Sequence, residues 1–434
     1  MPETVSTEIG SIPAEWQVHR FDAIFDVQQG KQVSKRNRMG DNPRKFLRTK
    51  NVFWGRIDLS NLDEMHFSEA DERRLALENG DLLTCDGGDI GRTAIWRGGL
   101  TRCYYQNHLH RARLKRESEA DSRFVLYWLW YAFKIASVYF GRGNVTTIPN
   151  LSQSKLCELP LPVPPLPEQQ KIAAVLGLVQ QAIEEQARLL ALTTELKKTL
   201  LHKLFTEGLR GEPQKQTEIG PVPESWEVAT LGKVTKFQTG GTPSRDKPEY
   251  WQDGDIPWVK TGEINYRVID ATEEKITRMG LDNSAAKIFP AGTLLVAMYG
   301  QGVTRGRVAV LGISAAVNQA CAAITPHNEC ILSTRFIYYY LQYHYEDIRQ
   351  MGHGANQRNL NMALLRGFEI AYPTPDEQAV AVDLLTCLDR KIAFIEARRK
   401  THEDIFRTLL HQLMTAQILV NDLDLSEQET DETE

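Results

Sequence analysis

The chain lacks paired cysteines. Its 434 residues include six cysteines, and no two of them form a C-x-x-C pair. This spacing argues against a zinc ribbon and against a disulfide framework, so we expect a reducing cytoplasm. The six cysteines are Cys85, Cys103, Cys157, Cys321, Cys330 and Cys387.

Long hydrophobic runs are also missing. The most apolar run, Phe124–Phe133, has about ten residues and is bounded by Arg123 and Lys134. A bilayer span needs about 20 apolar residues, so this run predicts a buried aromatic helix and no membrane partner. The opening residues 1–10 are polar, and we expect no secretory signal there.

Several catalytic signatures are absent. The sequence has no G-x-x-x-x-G-K-[ST] loop, no G-x-S-x-G elbow and no Asn/Asp-Pro-Pro-aromatic element of the kind that amino-methyltransferases use. The glycine-rich stretch 300–306 has the wrong spacing for a dinucleotide fingerprint and is better interpreted as a turn lined by Arg305 and Arg307. We therefore expect no catalytic residue and no bound cofactor in this chain.

Two weaker patterns leave enzymatic alternatives open. Glu273–Lys275, with Asp253 or Asp255 upstream, could be a nuclease-type acid-x-Lys motif, although such triplets are common by chance. His108 and His110 could ligate a metal from one strand, but the sequence suggests no third ligand. Ordinary polar side chains are the favoured interpretation of both patterns, so we predict no metal site.

Charge is distributed unevenly along the chain. The net charge is −5, but residues 421–434 hold seven acids and no base, so the remainder of the chain carries +2. We expect this acidic tail to be disordered and solubilising. The segment 31–56 is basic and has one acid, Asp41; it is either a solvated loop or a nucleic-acid surface. Its nine bases are Lys31, Lys35, Arg36, Arg38, Arg44, Lys45, Arg48, Lys50 and Arg56.

The sequence contains a tandem repeat of about 210 residues. Blocks of identical residues return in the same order, at offsets of 209 to 212. Self-similarity of this extent indicates duplication of a structural unit. The matched blocks are Thr7–Val18 with Thr217–Val228, Arg123–Tyr131 with Arg335–Tyr343, Glu168–Gln169 with Glu377–Gln378, and Thr199–Leu204 with Thr408–Leu413.

Each repeat predicts a mixed α/β domain followed by a long helix. Short alternating apolar stretches with glycine-rich turns predict strands, an aromatic helix is expected at 123–140 and at 335–345, and a proline-rich bridge closes each globular part. The fold class is thus α+β, with two tandem α/β domains. The predicted segments are a first domain at 1–158, a bridge and central helix at 159–210, a second domain at 211–367, a bridge and C-terminal helix at 368–420, and a tail at 421–434.

The two long helices have narrow apolar stripes. Thr374–Glu377 is a helix start signal, and Glu207 with Gly208 is a stop signal. An apolar spacing of three to four residues, with polar breaks at Gln186 and Thr193, predicts an antiparallel coiled coil between the two helices. The alternative is that each helix packs on its own domain. The residues predicted to pair are Val179, Leu189, Leu196, Leu200, Leu388, Ile392, Ile395, Phe406 and Leu409.

Polar loops are candidates for DNA contact. Lysine and arginine can neutralise phosphates, and Gln, Asn, Arg and His can read base edges. In the first half the candidates are, besides the basic segment, Arg92, Gln106, Asn107, His108, Asn144, Thr146 and Thr147. In the second half they are Lys260, Arg305, Arg307, Asn318, Gln319, His353, Asn356, Gln357, Arg358 and Asn359.

These patterns together resemble the specificity (S) subunits of type I restriction–modification systems. The resemblance covers almost the whole chain. The resemblance is strongest in the bridge and the start of the central helix, Leu161–Gln169 followed by Lys171–Leu176. The second copy of the bridge, Pro373–Gln378, matches the family less well. The loop Gly354–Leu360 also departs from its counterpart Gly143–Leu151. The paired openings Ile9–Trp16 and Ile219–Trp226 also carry it.

The resemblance implies a function and a set of partners. Each half would be a target recognition domain that reads one half of a split double-stranded DNA target in the major groove, and the paired helices would set the unread gap. Two methyltransferase (M) subunits with S-adenosylmethionine and motor–nuclease (R) subunits with ATP and Mg would join, while the S subunit itself would catalyse nothing. The halves differ outside the matched blocks, which predicts a nonpalindromic target. A specificity adaptor of a methyltransferase-only or other phage-defence system and a stand-alone nuclease remain as alternatives.

Overall fold

The computed structural model describes residues 3–117, 119–139, 150–300, 303–351 and 360–420. The protein is α+β, and its chain divides into two compact units, 1–187 with 397–434 and 188–396. Each long helix gives residues to both units, so the units divide the chain differently from the five segments predicted from the sequence, which stay a prediction. None of the helices in these ranges is both long and apolar enough to cross a membrane.

The first unit contains thirteen strands and five short α-helices among its described residues. The strands are β1 Thr4–Thr7, β2 Gly10–Pro13, β3 Gln17–Arg20, β4 Phe25–Gln29, β5 Pro43–Leu47, β6 Val52–Phe53, β7 Arg56–Ile57, β8 Asp63–His66, β9 Leu82–Cys85, β10 Thr93–Ile95, β11 Tyr104–Tyr105, β12 Leu109–Leu114 and β13 Pro160–Val163. The helices are α1 Phe21–Ile24, α2 Lys35–Arg38, α3 Glu69–Leu75, α4 Ser122–Trp130 and α5 Gln153–Cys157. The first long helix, α6, runs from Leu166 to Glu207.

The second unit repeats this order. Its strands are β14 Gln214–Thr217, β15 Gly220–Pro223, β16 Glu227–Thr230, β17 Thr235–Thr239, β18 Ile256–Val259, β19 Val268–Ile269, β20 Glu274–Ile276, β21 Ile288–Phe289, β22 Leu294–Ala297, β23 Val308–Leu311, β24 Ala315–Val317, β25 Cys321–Pro326 and β26 Glu369–Tyr372. Its helices are α7 Leu231–Val234, α8 Arg278–Asp282, α9 Thr334–Tyr343, α10 Tyr345–Gln350 and α11 Met362–Gly367. The second long helix, α12, runs from Pro375 to Met414.

The sheets confirm the duplication at the level of topology. The main sheet of the first unit has the order β10-β9-β12-β4, and that of the second has β17-β25-β22-β23 followed by β19. The strand before β12 pairs in parallel with β5, and the strand before β25 pairs in parallel with β18. Equivalent strands therefore bring equivalent loops to the same end of each sheet.

Aromatic packing explains why the opening tryptophan is repeated. Trp16 and Trp226 are each 4% exposed. Trp16 lies edge-on to Phe124 of α4 at 6.2 Å, and Trp226 lies edge-on to Phe336 of α9 at 5.9 Å. Each buried aromatic side chain contributes roughly 2 kcal/mol, so these pairs anchor the start of each repeat on its aromatic helix.

A buried glutamine explains the repeated Glu-Gln pair. The Oε1 atom of Gln169 accepts from the main-chain N–H of Asp121 at 2.9 Å, and its Nε2 donates to the Pro164 carbonyl at 2.7 Å. Gln378 makes the equivalent bonds, to the Ser333 N–H at 3.0 Å and to the carbonyl of Pro373 at 2.9 Å. Because Asp121 and Ser333 cap α4 and α9, the glutamine ties each long helix to its aromatic helix.

The aromatic helices are shorter than predicted. In the first unit α4 ends at Trp130 and continues as a π-helical turn to Ile135, so residues 136–139 are not helical. Ser137 adopts a φ of 51°, which stops the helix. In the second unit the predicted helix is divided into α9 and α10 at His344.

The long helices begin and end where the signals predict. Pro375 opens α12, and α6 stops at Glu207 before Gly208, which has a φ of 70°. In the first unit Ile172 and Leu176 of α6 share a core with Phe406 and Leu410 of α12. In the second unit the far part of α6, 201–205, shares a core with the early part of α12, 381–385, which is an antiparallel pairing.

The stripe along the middle of α6 differs from the prediction. Leu189 is 39% and Leu196 56% exposed, whereas Gln186 is 5% and Lys197 7% exposed. The polar positions therefore face inward there, because Lys197 forms an ion pair with Asp389 at 2.6 Å. The other predicted pairing residues, Val179, Leu200, Leu388, Ile392, Ile395, Phe406 and Leu409, are partly or fully buried.

Candidate nucleic-acid interface

A turn at one end of the main sheet is the centre of the candidate interface in each unit. In the first unit it is formed by 106–108, between β11 and β12. Gly30 lies against this turn so closely that a Cβ atom there would come within 3.0 Å of the Gln106 carbonyl oxygen. Its counterpart in the second unit is 318–320, where Gly240 lies as close to the carbonyl of Val317. Glycine at these two positions lets the turn pack onto its neighbouring strand.

The turn exposes different side chains in the two units. In the first unit Asn107 is partly exposed and His108 is exposed, and the His108 ring contacts the Asp86 carboxylate at 3.0 Å. In the second unit Gln319 is exposed, its amide oxygen accepts a hydrogen bond from the Thr242 hydroxyl, and Ala320 takes the place of the histidine. The first turn can offer a whole amide and an imidazole to a base edge, whereas the second can offer the NH₂ group of Gln319.

Two of the candidate base readers hold the turns instead. Gln106 is 5% exposed, and its main-chain N–H donates to the Leu47 carbonyl at 3.0 Å. The Asn318 side chain accepts from the Ala320 N–H at 2.7 Å and donates to the Thr242 hydroxyl at 3.1 Å. Their side chains are therefore occupied or enclosed, and Asp86, which the sequence did not single out, joins the turn.

Much of the basic segment is neutralised by acids from 63–72. Lys31 pairs with Asp71 at 2.8 Å, and Arg44 pairs with Glu72 at 2.7 Å. Lys50 and Arg48 bond the Asp63 carboxylate at 2.9 and 2.8 Å, and they hold its pKa below its usual range. These cations tie the basic segment to β8 and α3, so the segment is not simply a solvated loop.

Helix α2 presents three of the five remaining cations of the segment. Lys35, Arg36 and Arg38 are exposed, and within the described ranges their side chains make no hydrogen bond or ion pair. Ser34 caps this short helix by accepting from the Asn37 N–H at 3.1 Å, and Met39 after it is 83% exposed. We call Lys35, Arg36 and Arg38 the α2 patch; Lys45 of β5 is exposed in the same way.

The candidate arginines after the glycine-rich turns hold loops in both units. Arg92 donates to the Thr49 carbonyl at 2.6 Å. Its counterpart Arg307 donates to the amide oxygen of Asn265 at 2.7 Å. Each guanidinium also lies 5.7 Å from the centre of an aromatic ring. The arginines thus shape the end of the sheet that carries the turn.

Two further candidate cations of the second unit also bind within the protein. Arg305 donates to the main-chain carbonyl of Arg349 at 3.1 Å. Lys260 lies between Glu273 and Glu274 at 2.7 and 3.1 Å, and the hydrogen bond to Glu273 raises the pKa of Lys260. The carboxylates of the acid-x-Lys triplet are therefore engaged by a lysine from another element.

Some candidate readers lie outside the described residues. They are Asn144, Thr146, Thr147, His353, Asn356, Gln357, Arg358 and Asn359, and the acidic tail at 421–434 also lies outside. The chain re-enters the described part at Asn150. The next N–H, that of Leu151, donates to the Asp86 carbonyl at 2.8 Å, which places this point beside the 106–108 turn.

His110 is buried beneath the same turn. It is fully enclosed, and its Nε2–H donates to the Leu151 carbonyl at 2.8 Å. Its Nδ1 is buried and has no hydrogen-bond partner among the residues that the structure describes, and burial lowers the pKa of the ring. In the part of the chain described, no three His, Cys, Asp or Glu side chains are grouped so as to hold a metal ion.

Acidification is expected to destabilise the fold through His110 and His344. Burial lowers the pKa of both rings below the ordinary histidine value of 6.5, so the unfolded chain binds more protons. Above about pH 6.5 both rings are largely neutral in the folded and the unfolded chain, so the free energy of unfolding has its full value. As the pH falls from there towards the folded pKa, the free energy of unfolding decreases by up to about 1.4 kcal/mol per pH unit for each histidine.

Denaturant unfolding at pH 7.5 and pH 5.5 measures this effect. His110→Gln keeps a donor for the Leu151 carbonyl and should reduce the difference in the free energy of unfolding between the two pH values. The exposed His327 provides the matched control, His327→Gln, which should leave the difference unchanged. An equal pH dependence in all three proteins would contradict this assignment.

Comparison with known proteins places both repeats in one family. The family model described as the type I restriction modification DNA specificity domain matches residues 13–193 and again residues 223–402. The chain belongs to this family. Its two matched segments coincide with the two copies of the repeat, so the duplication seen in sequence and topology is a pair of specificity domains.

Relatives of the family align over long stretches. The putative type I restriction enzyme MjaX specificity subunit of Methanocaldococcus jannaschii is 25% identical over 424 residues, covering 95% of this chain and 96% of the relative. The EcoR124I/EcoR124II specificity subunit of Escherichia coli is 26% identical over 274 residues, covering 62% and 64%.

A solved S subunit shares the fold. The crystal structure of the type I restriction–modification S subunit from M. genitalium matches with a TM-score of 0.61 and 19% identity, covering 92% of this chain and 96% of that chain. This likeness extends over both specificity domains and the long helices, and it supports the α+β class with two tandem domains.

Proposed function

We propose that the chain is the DNA sequence-specificity subunit of a type I restriction–modification complex in the cytoplasm. Each recognition domain reads one half of a bipartite DNA target in the major groove. The observation that carries this proposal is the turn at 106–108 and its equivalent at 318–320, which sit in the same place in two copies of one fold and expose different side chains. Because the same fold presents different side chains in the two units, the two half-sites should differ in sequence, and the target should be nonpalindromic.

The exposed residues fall into two groups, one suited to phosphates and one suited to base edges. The α2 patch and Lys45 carry cations without partners among the described residues, so they suit phosphates, which give affinity without sequence information. Asn107 presents an amide that suits the paired donor and acceptor of an adenine edge. The Gln319 amide can donate through its NH₂ group to a base acceptor, since its oxygen accepts from the Thr242 hydroxyl. Among its described residues the second unit has no equivalent of the α2 patch, since Arg245 in the corresponding loop stacks on Trp251 at 3.6 Å and pairs with Glu274 at 2.6 Å.

Changing the exposed amides should alter base choice in one half-site at a time. Asn107→Ala should relax discrimination at one position of the half-site read by the first domain, and Gln319→Ala should do so in the other half-site, each by about 1–3 kcal/mol. Competition binding with single-base variants of the target measures this. Lys45→Ala is the control, and it should weaken all sequences equally. Unaltered base preference in both amide variants would contradict the assignment.

The long helices supply the remaining parts of the proposal. They set the length of the unread gap and dock two methyltransferase subunits, which direct adenine-N6 methylation with S-adenosylmethionine. Motor–nuclease subunits then carry out ATP- and Mg-dependent restriction, and this chain contributes recognition without catalysis. Leu189, Leu192 and Leu196 support docking, because they form an apolar stripe on α6 that is 39 to 58% exposed.

Charges on this stripe should weaken docking of a methyltransferase subunit. Leu192→Glu with Leu196→Glu should lower the amount of co-purifying subunit at least tenfold, because two carboxylates would be desolvated at the interface. Ala191→Glu with Thr194→Glu places the same charge at exposed positions on another side of α6 and is the matched control. Equal recovery from both double variants would exclude the stripe as a docking surface.

A further inference from the structure

A charged cluster lies at the helix pair of the second unit. Lys197 of α6 is 7% exposed, and its ammonium bonds Asp389 of α12 at 2.6 Å and the amide oxygen of Gln342 at 3.1 Å. The Tyr339 hydroxyl donates to the other oxygen of Asp389 at 2.8 Å, and the ammonium lies 5.5 Å from the centre of its ring. Three elements, α6, α9 and α12, thus meet through one buried cation.

The equivalent cluster in the first unit is aromatic and neutral. The repeat offset of 209 aligns Phe406 with Lys197 and Gln180 with Asp389, and the offset of 212 aligns Trp130 with Gln342. Phe406 packs against Trp130 at 4.9 Å between ring centres. Tyr127, the counterpart of Tyr339, donates to the Gln180 amide oxygen at 2.8 Å. Both units have the tyrosine. At the three other positions the second unit has a lysine, an aspartate and a glutamine where the first has a phenylalanine, a glutamine and a tryptophan.

We propose that the Lys197–Asp389 pair selects which helix pairs with which. It stabilises α6 against α12 and disfavours same-helix pairing, in which α6 of one chain would lie on α6 of a second copy and α12 on α12. The pair thereby favours assembly of the two unlike domains of the same chain over assembly of two like domains from two chains. The pairing partner that the cluster favours is thus the long helix of the other repeat, and the partner that it disfavours is the same helix of a second copy of this chain.

Each wrong pairing would separate a charge from its partner, and Lys197 would be the buried one. In an α6–α6 pair, Lys197 would enter the aromatic cluster and meet Trp130 and Gln180, whose Nε2 already donates to the Glu184 carboxylate at 3.0 Å, and it would lose Asp389. In an α12–α12 pair, Asp389 would face Phe406, with no cation. A charge that is removed from water and left without its partner is strongly unfavourable, and a single buried polar pair can specify helix partners in this way. The shared apolar stripe alone would not distinguish these pairings.

A mixed refolding experiment tests the selection without DNA. Light and ¹⁵N-labelled full-length chains are mixed in denaturant, refolded together, cross-linked with an amine-reactive reagent and analysed by mass spectrometry. A light–heavy cross-link between two α6 peptides reports same-helix pairing. The native chain should give α6–α12 cross-links, with α6–α6 light–heavy links below a tenth of them.

Copying the neutral cluster into the second unit should remove the selection. The variant Lys197→Phe, Gln342→Trp, Asp389→Gln carries in both units a set of side chains that already packs in the first, and its α6–α6 light–heavy links should rise at least tenfold. A refolded triple variant with the native pattern of links would overturn the proposal.

A charge reversal decides the question if the triple variant does not refold. Lys197→Asp alone sets two carboxylates against each other and should raise α6–α6 links. Adding Asp389→Lys restores an opposite pair and should return the links to the native level. Failure of the second substitution to restore them would overturn the proposal. Neither readout depends on DNA recognition.

Discussion

Replacing the α2 patch with alanine is expected to weaken binding to every DNA sequence by roughly 100-fold at low salt. Each exposed cation that contacts a phosphate contributes about 1 kcal/mol, and 1.4 kcal/mol is a factor of ten in affinity. The triple variant Lys35→Ala, Arg36→Ala, Arg38→Ala should also flatten the salt dependence, by about 0.9 in the logarithmic slope for each phosphate that is no longer neutralised. The preference among target sequences should be unchanged.

Titration of the assembled complex with target and unrelated DNA at several salt concentrations measures this effect. Arg73→Ala removes an exposed cation of α3 in the same unit and is the control, because its nearest carboxylate is Glu69 at 3.8 Å. Lys50→Ala should have a smaller effect than the triple variant, since Lys50 already pairs with Asp63. An unchanged salt slope in the triple variant would remove α2 from the phosphate footprint.

The substitution Gly240→Ala is expected to abolish recognition of one half-site. Its Cβ would come within 3.0 Å of the main-chain carbonyl of Val317, which belongs to β24 and cannot move as a side chain could. Overpacking of this kind costs about 3 kcal/mol or displaces the backbone, and here the displaced part carries Asn318 and Gln319. Base discrimination should be lost in the half-site of the second domain and kept in that of the first.

Gly262→Ala is the matched control in the same unit, because a Cβ atom there would meet no heavy atom within 4 Å. Thermal unfolding and the base-substitution competition assay should distinguish the two variants. Native stability and native base choice in Gly240→Ala would show that the turn does not depend on this close approach.

Much of the architecture could be predicted from local signals. Thr374–Glu377 and Gly208 mark helix ends because capping and left-handed backbone are local properties of the chain. The repeated blocks predicted two equal folds, and the sheet order confirms them. Hydrophobic periodicity was misleading in the middle of α6, because Lys197 is buried through a partner 192 residues away, which no local pattern encodes.

The candidate site was less predictable for a similar reason. The basic segment was visible as a run of charge, but the acids that neutralise part of it, Asp63, Asp71 and Glu72, come from later elements. Gln106 is an ordinary polar residue in sequence, and only the strand pairing around it shows that it is enclosed. Long-range ion pairs and burial depend on the tertiary fold, so composition alone could not separate free cations from structural ones.

Mapping N6-methyladenine by long-read sequencing, in the source genome with this gene intact and deleted, tests the role in sequence recognition most directly. We expect one split, nonpalindromic methylated motif to disappear on deletion and to return when the gene is restored, revealing both half-sites and the gap. A methylated motif that persists unchanged after deletion, in cells that express the methyltransferase subunit, would contradict this role.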